Sequence, residues 1–284
     1  MPVLRRPLRA APAVLALVAA AACSGSSQAA SRTCTPAKLA TKQAGTLTLS
    51  TGKLTSAPWV VGGAAIGRSN DPRLGKGYDA AVGYALATHL GYDDKQVRWV
   101  GTSFADSISA GAKSFDVSIN QATITDPRRK DVDLSTPYWV VRDAVVTIKG
   151  RPLADVTTLQ EMKGFPLATV TVDHRTAPTG VTLIPFATYD ELRRSVVAGT
   201  QQGLITSYTA ALRIARSGTE IADAKMAAAL PTVKGAEGYG LVLEKGSPLT
   251  SCVDGALAAM RKDGTLDELE QRWLIEEPGL HILR

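Results

Sequence analysis

The feature of this sequence that most limits its fold is a repeated alternation of short apolar strands with helical stretches, which begins at Gly45. Residues 46–51 (TLTLST) alternate apolar and polar side chains, a pattern typical of a strand with one buried face. Further strands are predicted at residues 97–100, 116–120, 144–149, 167–172, 203–206 and 239–243. Strands that repeatedly lead into helices predict an α/β fold of mostly parallel sheets flanked by helices, with ligands at the carboxyl ends of the strands.

The intervening helices are indicated by residues that favour helix ends. Residues 79–90 (DAAVGYALATHL) predict a helix with Asp79 as its N-cap and Gly91 after its last turn. Another helix is predicted to begin at Thr125-Asp126-Pro127, because proline is well tolerated in a first helical turn. The remaining helices are predicted at residues 104–112, 159–162, 189–198, 209–215, 249–262 and 266–273.

The first residues of the chain predict export. Arg5, Arg6 and Arg9 precede an uncharged apolar stretch at residues 11–22, and its 12 residues are too few to span a bilayer as a helix. A signal peptide has this arrangement of a basic start and a short apolar segment. We therefore assign residues 1–22 to a signal peptide.

The end of this segment resembles a bacterial lipobox. Small residues stand directly before Cys23 and a flexible polar stretch follows it, although the motif usually has leucine at the position of Ala20. Processing at this point makes Cys23 a lipid-modified N-terminus, followed by a linker at residues 23–44. The alternative is plain secretion after an A-x-A site, with Cys23 discarded.

The cysteine count agrees with export. If Cys23 carries lipid, Cys34 and Cys252 remain, and an even pair in an exported chain predicts a disulfide that contributes on the order of 4 kcal/mol. The alternative is a pair of unbonded thiols. Metal binding is disfavoured because the sequence has no C-x-x-C spacing and its histidines are isolated, at His89, His174 and His281.

The charge balance excludes nucleic acid as a partner. After the signal peptide is removed, the chain keeps 29 basic and 26 acidic residues, a net charge of +3, and the basic residues are scattered. The remaining length suffices for two compact lobes or one large domain.

Six segments, taken in order along the chain, resemble the extracellular solute-binding proteins of polar amino acid ABC importers, known as family 3. They are GTLTLST, APW, GKGYDAAVGYALATHLGY, FDVSINQATITDPRRKDVDLSTPY, GYGLVLEKGSPL and DGTLDELEQRW. The GKGYD and INQ-x-TIT forms are most similar to actinobacterial members. The resemblance spans residues 45–274, nearly the whole mature chain.

The resemblance implies a two-lobed periplasmic-binding-protein-like fold, in which two crossover strands join the lobes and permit closure over a ligand. Residues 45–140 and 240–284 are expected in the first lobe and residues 141–239 in the second. A disulfide between Cys34 and Cys252 then lies within the first lobe and leaves closure free. The crossings are expected near Pro137-Tyr138-Trp139 and Glu237-Gly238-Tyr239.

The resemblance also implies a ligand site. The family's T-x-x-R motif, here Thr125-Asp126-Pro127-Arg128, supplies the arginine that binds the ligand's α-carboxylate, and a guanidinium matches a carboxylate bidentately. Trp59 stands at the family's aromatic position and is expected either to line the pocket or to pack in the core. Without the resemblance, Arg128 reads as a solvated arginine on a first helical turn. The preceding residues expected to fix the ligand are Asn120, Gln121 and Thr123.

Three single positions and one loop depart from the family pattern. The aspartate that usually follows the first strand is replaced by Gly52, and the aromatic residue that often stacks on the ligand aligns with Ser56. In the second lobe, Ser207 stands where an aspartate usually pairs with the ligand's α-ammonium group, and serine cannot neutralise a buried cation. The usual Gly-Thr/Ser anion-binding loop is also replaced, by Val172-Asp173-His174-Arg175.

These departures leave three interpretations open. Asp173 replaces the missing ammonium partner, or the ligand is a carboxylate without an ammonium group, or ligand binding is lost and the chain is a structural or regulatory relic. The charged segment around Asp173 also reads as an ordinary solvated loop.

The function implied by the resemblance is capture of an amino acid or similar small carboxylate for an ABC permease. We expect a monomer at the outer face of the cell membrane, held by its N-terminal lipid, with no cofactor, metal or enzymatic activity. One alternative is an extracellular sensor. The other is an enzyme similar to cyclohexadienyl dehydratases, in which His174 beside Asp173 performs acid–base chemistry.

Overall fold

The computed structural model describes residues 34–63, 70–171, 177–233, 235–276 and 278–283. They form two lobes, each built on a five-stranded sheet flanked by helices. The first sheet has the order β2-β1-β3-β10-β4, from β1 (Leu47–Thr51), β2 (Val97–Gly101), β3 (Val117–Thr123), β4 (Val132–Val140) and β10 (Gly238–Glu244). The second has the order β7-β6-β8-β5-β9, from β5 (Asp143–Ile148), β6 (Leu167–Val170), β7 (Leu183–Phe186), β8 (Gly203–Ser207) and β9 (Ala224–Ala229).

Strand directions confirm the predicted mostly parallel α/β architecture. In the first sheet only β10 runs against its neighbours, and in the second sheet only β5 does. β5 is the first strand after the chain passes into the second lobe, and β10 is the first after it returns. The reversed strand of each sheet is therefore the one that directly follows a crossing.

The helices lie where the sequence predicts them, with shifted ends. They are α1 (Tyr78–His89), α2 (Phe104–Ile108), α3 (Asp126–Asp131), α4 (Leu159–Met162), α5 (Tyr189–Val197), α6 (Tyr208–Ser217), α7 (Thr250–Lys262) and α8 (Thr265–Glu270), followed by a π-helical turn at Gln271–Glu276. The N-cap of α1 is Gly77, with φ 95°, rather than Asp79. Asp79 lies within the first turn instead, and its side chain is fully buried.

Two adjacent chain segments connect the lobes. Residues 141–142 link β4 to β5 and residues 230–237 link β9 to β10. The segments are hydrogen-bonded to each other and to the second sheet, because Val141 N donates to Glu237 O at 2.7 Å and Leu230 N donates to Asp143 O at 2.8 Å. The paired segments form a short hinge between the sheets.

The last described residues cross between the lobes a third time. Ala229 N donates to His281 O and Leu283 N donates to Ala229 O, at 3.1 and 3.0 Å, which attaches the chain end to β9. This differs from the predicted first-lobe assignment of residues 240–284 at the chain end only, since β10 is a strand of the first sheet and α7 and α8 pack against β4. The physical reason is apolar burial, because the Leu283 side chain is 0% exposed within the second lobe's core.

The predicted disulfide between Cys34 and Cys252 is present. Its Cα atoms lie 5.5 Å apart and it joins residues 218 positions apart in sequence, so it attaches the N-terminal segment to α7. Both ends of the bridge belong to the first-lobe side of the hinge. No helix within the described part of the chain is long and apolar enough to cross a membrane. The predicted signal peptide and the proposed lipidation site Cys23 lie outside the described residues.

Candidate functional site

Arg128 is held at the carboxyl end of β3 by its own short helix. The Thr125 hydroxyl caps α3 by accepting a hydrogen bond from Arg128 N at 3.4 Å. The Arg128 side chain then folds back, so that Nη1 donates to Thr123 O at 2.7 Å and the guanidinium lies 5.2 Å from the centre of the Phe104 ring. This arrangement fixes the side chain while using one of its five N–H donors.

The guanidinium has no carboxylate partner among the residues that the structure describes. Arg128 is half-buried, and Phe104, which stacks against it, keeps 38% of its surface exposed. An exposed aromatic ring beside an unpaired, oriented guanidinium is chemically suited to bind an anion that also carries an apolar group. Thr123, predicted at the site, supplies the carbonyl that orients Arg128.

Asn120 and Gln121 form a bulge in β3. Ser118 pairs with Val242 and Ala122 pairs with Gly240. Between these two pairs β3 advances by four residues and β10 by only two, so β3 contains a bulge. The two side chains of the bulge diverge. Asn120 approaches Gly52, and its Nδ2 is buried without a hydrogen-bond partner in the described structure. Gln121 points inward and donates from Nε2 to Asp79 Oδ2 at 2.6 Å.

Asp79 is a buried carboxyl group directly beneath this bulge. Its Oδ1 also accepts a hydrogen bond from the Tyr138 hydroxyl at 3.1 Å, and its backbone N donates to Trp59 O at 2.9 Å. Burial raises the pKa of Asp79 from 3.8 to about 7, and the hydrogen bonds from Gln121 and Tyr138 only partly oppose this. Near neutral pH the group is therefore present both with and without its proton.

The raised pKa of Asp79 predicts a stability that falls as the pH rises. In the unfolded chain this carboxyl loses its proton near pH 4, whereas in the folded chain it keeps the proton until about pH 7. The folded state therefore binds more protons between these values. We expect the free energy of unfolding to fall by on the order of 2 kcal/mol from pH 5 to pH 8 through this group.

Urea denaturation at pH 5, 6, 7 and 8 tests this expectation against Asp79→Asn, whose amide does not titrate. The difference in unfolding free energy between the two proteins isolates Asp79 from other titrating groups. The prediction fails if both proteins show the same dependence on pH.

Trp59 lies in a buried aromatic cluster whose members come from both lobes. Its ring centre is 5.5 Å from that of Trp139 and 6.4 Å from that of Tyr208, at the start of α6 in the second lobe. Tyr208 is fully buried and its hydroxyl donates to Leu274 O at 2.6 Å. Trp59 is 8% exposed and buried within this cluster, which packs the two lobes against each other. Arg216 of α6 adds a hydrogen bond to Ala57 O.

The other predicted residues occupy different settings. Ser207 is the N-cap of α6, with its hydroxyl accepting from Ala210 N at 3.4 Å and lying 3.3 Å from the Thr209 hydroxyl. Ser56 is exposed, and its carbonyl accepts hydrogen bonds from the backbone of Trp59 and Val60. Asp173 and its neighbour His174 lie outside the described residues, as does the rest of residues 172–176. The described part of the chain contains no group of His, Cys, Asp or Glu suited to hold a metal ion.

Three residues of this region escaped the sequence analysis. Phe104 begins a predicted helix, and the sequence does not show that its ring lies against Arg128. The sequence predicts Asp79 as an N-cap, and its burial becomes visible only in the structure. Tyr208 follows Ser207 directly, and no local pattern distinguishes it from an ordinary core tyrosine.

Comparison with known proteins identifies the family. The family described as "Bacterial extracellular solute-binding proteins, family 3" matches residues 69–276. The L-cystine-binding protein TcyJ of Escherichia coli (strain K12) is 31% identical over 217 residues, which cover 69% of this chain and 73% of that protein. An L-arginine-binding protein of Pseudomonas aeruginosa is 25% identical over 214 residues, covering 69% of this chain and 78% of that protein.

Among solved structures, an ancestral cyclohexadienyl dehydratase superposes with a TM-score of 0.54 at 22% identity, covering 80% of this chain and 92% of that one. At this identity the likeness concerns the fold alone. The family match and the similarity to the cystine-binding protein both extend over most of the chain. This chain therefore belongs to the bacterial extracellular solute-binding proteins of family 3.

Proposed function

We propose that this chain is the binding component of an ABC importer and captures an amino acid or similar small carboxylate by closure of its lobes. The observation that carries the proposal is Arg128, a half-buried arginine oriented by Thr123 O and Phe104 without a carboxylate partner among the described residues. A ligand carboxylate supplies the anion that this guanidinium lacks. The named relatives bind L-cystine and L-arginine, which both carry an α-carboxylate.

This chain offers fewer partners for a ligand's ammonium group than for its carboxylate. Ser207 is neutral and already serves as a helix cap, and Asp79 is turned inward beneath the bulge. Of the residues predicted to face the ligand, only Asp173 carries a negative charge. The proposed ligand class is therefore a small carboxylate. A ligand that also carries an ammonium group belongs to this class if Asp173 pairs with that group.

Delivery and anchoring complete the proposal. Family members are extracellular solute-binding proteins, so the site is expected at the outer face of the membrane. We propose that Cys23 carries the lipid that keeps the protein there, and that the closed, liganded form docks on the permease with one lobe against each permease half. The three crossings between the lobes allow such a closure without separating the cores.

A thermal-shift screen of the chain from Ser24 to Arg284 tests the proposed ligand class. The panel contains the proteinogenic amino acids, L-cystine, dicarboxylic acids and three acids without an ammonium group: 5-guanidinopentanoate, glutaramate and 3,3′-dithiodipropionate. A ligand at about 100 times its Kd is expected to stabilise the protein by about 2.7 kcal/mol. A panel in which no carboxylate raises the melting temperature contradicts the proposal.

A further inference from the structure

The bulge in β3 is under backbone strain that the surrounding structure must hold. Gln121 has φ 51°, in the left-handed region that residues other than glycine rarely adopt. Such a conformation is unfavourable for a residue with a side chain and persists where neighbouring contacts enforce it. The strained residue stands between Asn120 and Thr123, both of them predicted ligand contacts.

The side chain of the strained residue makes a hydrogen bond to a buried partner, from Gln121 Nε2 to Asp79 Oδ2 at 2.6 Å. Asp79 is itself fixed on two further sides. Tyr138 donates to it from β4, close to the hinge, and its own backbone N donates to Trp59 O. The carboxyl group is 0% exposed, so solvent does not compete for these hydrogen bonds.

The groups around Asp79 are phenols rather than charges. Tyr78 lies on its own helix, Tyr138 on β4 and Tyr239 on β10, and the pKa of each of these tyrosines is raised chiefly by burial. Within the described structure no lysine, arginine or histidine forms an ion pair with Asp79. Its partners are therefore hydrogen-bonding side chains, chief among them the amide of Gln121.

We propose that Asp79 is a positioning residue for ligand binding: its carboxyl group anchors the Gln121 side chain and thereby fixes the bulge that orients Asn120 and Thr123 toward the ligand. This inference rests on the proposed function. Thr123 in turn supplies the carbonyl that orients Arg128, at 2.7 Å. The Asp79–Gln121 contact thus supports both the unpartnered Asn120 amide and the carboxylate-binding arginine without touching the ligand itself.

The chemistry of this contact distinguishes the possible replacements. A carboxyl group or a carboxamide at position 79 can accept from Gln121, so Asp79→Asn is expected to preserve the bulge. Asp79→Ala and Gln121→Ala both remove the anchor and leave an unfavourable φ without support. Asp79→Ala combined with Gln121→Gly is expected to recover much of the geometry, because glycine adopts this φ without strain.

Calorimetric titration with L-cystine, L-arginine and L-glutamine tests the proposal in these variants. We expect Asp79→Ala and Gln121→Ala each to raise the Kd of a probe bound by the unmodified chain about tenfold, and the double alanine variant to be no weaker than either. Asp79→Asn should stay within about twofold. Alanine variants that lose thermal stability but keep the original Kd overturn the proposal, and so do effects that add in the double variant.

Hydrogen exchange of the ligand-free protein supplies a readout that needs no ligand. Backbone amides of residues 119–123 are expected to exchange at least tenfold faster in Gln121→Ala than in the unmodified chain, while those of β6 remain unchanged. If none of these three probes binds the unmodified chain, the best ligand of the thermal-shift screen replaces them. If no carboxylate of that screen binds, the proposed ligand class fails, and hydrogen exchange alone tests whether Asp79 anchors Gln121. Unchanged exchange in residues 119–123 then overturns it. Gln121 is half-buried, so this variant carries the test should Asp79→Ala fail to fold.

Discussion

Replacing Arg128 with alanine is expected to weaken binding of the carboxylate ligand at least 100-fold. The substitution removes the charge-assisted hydrogen bonds of the guanidinium and leaves the ligand's carboxylate without a cation in a partly buried site. A loss of about 2.7 kcal/mol corresponds to this factor. The measurement is calorimetric titration with the best ligand from the thermal-shift screen.

Arg129 provides the matched control for this prediction. It follows Arg128 on α3, is exposed, and donates from Nη1 to Leu134 O at 3.1 Å. Arg129→Ala removes the same charge from the same helix and should change Kd by no more than about twofold. Arg128→Lys keeps the charge but loses the planar fork, so an intermediate loss of about tenfold is expected. Equal effects at the two positions argue against a specific role for Arg128.

Removal of the disulfide is expected to lower the free energy of unfolding by on the order of 4 kcal/mol, because the bridge closes a very long loop of the unfolded chain. Cys34→Ala and the double variant Cys34→Ala/Cys252→Ala should show similar losses, since both break the same bond. Denaturation in urea, with and without a reducing agent, checks the expectation. Reduction should destabilise the unmodified chain and leave the double variant unaffected.

Measuring ligand affinity shows whether the disulfide only stabilises the fold or also contributes to the ligand site. The bridge joins the N-terminal segment to α7, whereas the proposed ligand residues Thr123 and Ser207 lie at the ends of β3 and β8. We therefore expect the disulfide-free protein to bind its ligand with an unchanged Kd at temperatures where it remains folded. A disulfide-free variant as stable as the unmodified chain contradicts the prediction.

The strands that the sequence analysis missed are all at the edges of sheets. β4 contains Pro137 and β7 contains Pro185, and proline removes a donor from a strand ladder. The sequence pattern therefore reads as loop, whereas an edge strand has an unpaired side that tolerates proline. β9 (AKMAAA) is also an edge strand, and its alanines have little strand preference of their own. Its pairing with β5 decides its structure.

No pattern in the sequence predicts the third crossing between the lobes, at the end of the chain. Leu283 is one apolar residue near the chain end, and its burial against β9 depends on the completed second sheet. By contrast, the central strands were predicted within a few residues, because alternating or continuous apolar patterns identify strands buried on one or both faces.

In the candidate site, too, features formed by neighbouring residues are predictable from the sequence, whereas contacts between distant residues are not. Thr125 and Arg128 belong to one short helix start, so their spacing already predicts the cap and the side-chain position. The contact between Asp79 and Gln121 joins residues 42 positions apart, and neither the bulge nor the left-handed φ of Gln121 has a sequence pattern. The sequence does not decide whether Trp59 lines a pocket or packs in the core, because its aromatic partners come from distant parts of the chain.

The most direct test of the carboxylate site compares each acid with the amine left when its carboxylate is removed. The pairs are L-arginine and agmatine, L-cystine and cystamine, and L-glutamine and 4-aminobutanamide, each titrated calorimetrically into the chain from Ser24 to Arg284. The carboxylate site predicts that an acid that binds does so at least 100-fold more tightly than its amine. An amine that binds as tightly as its acid contradicts it, and so does the failure of every carboxylate in the thermal-shift panel to bind.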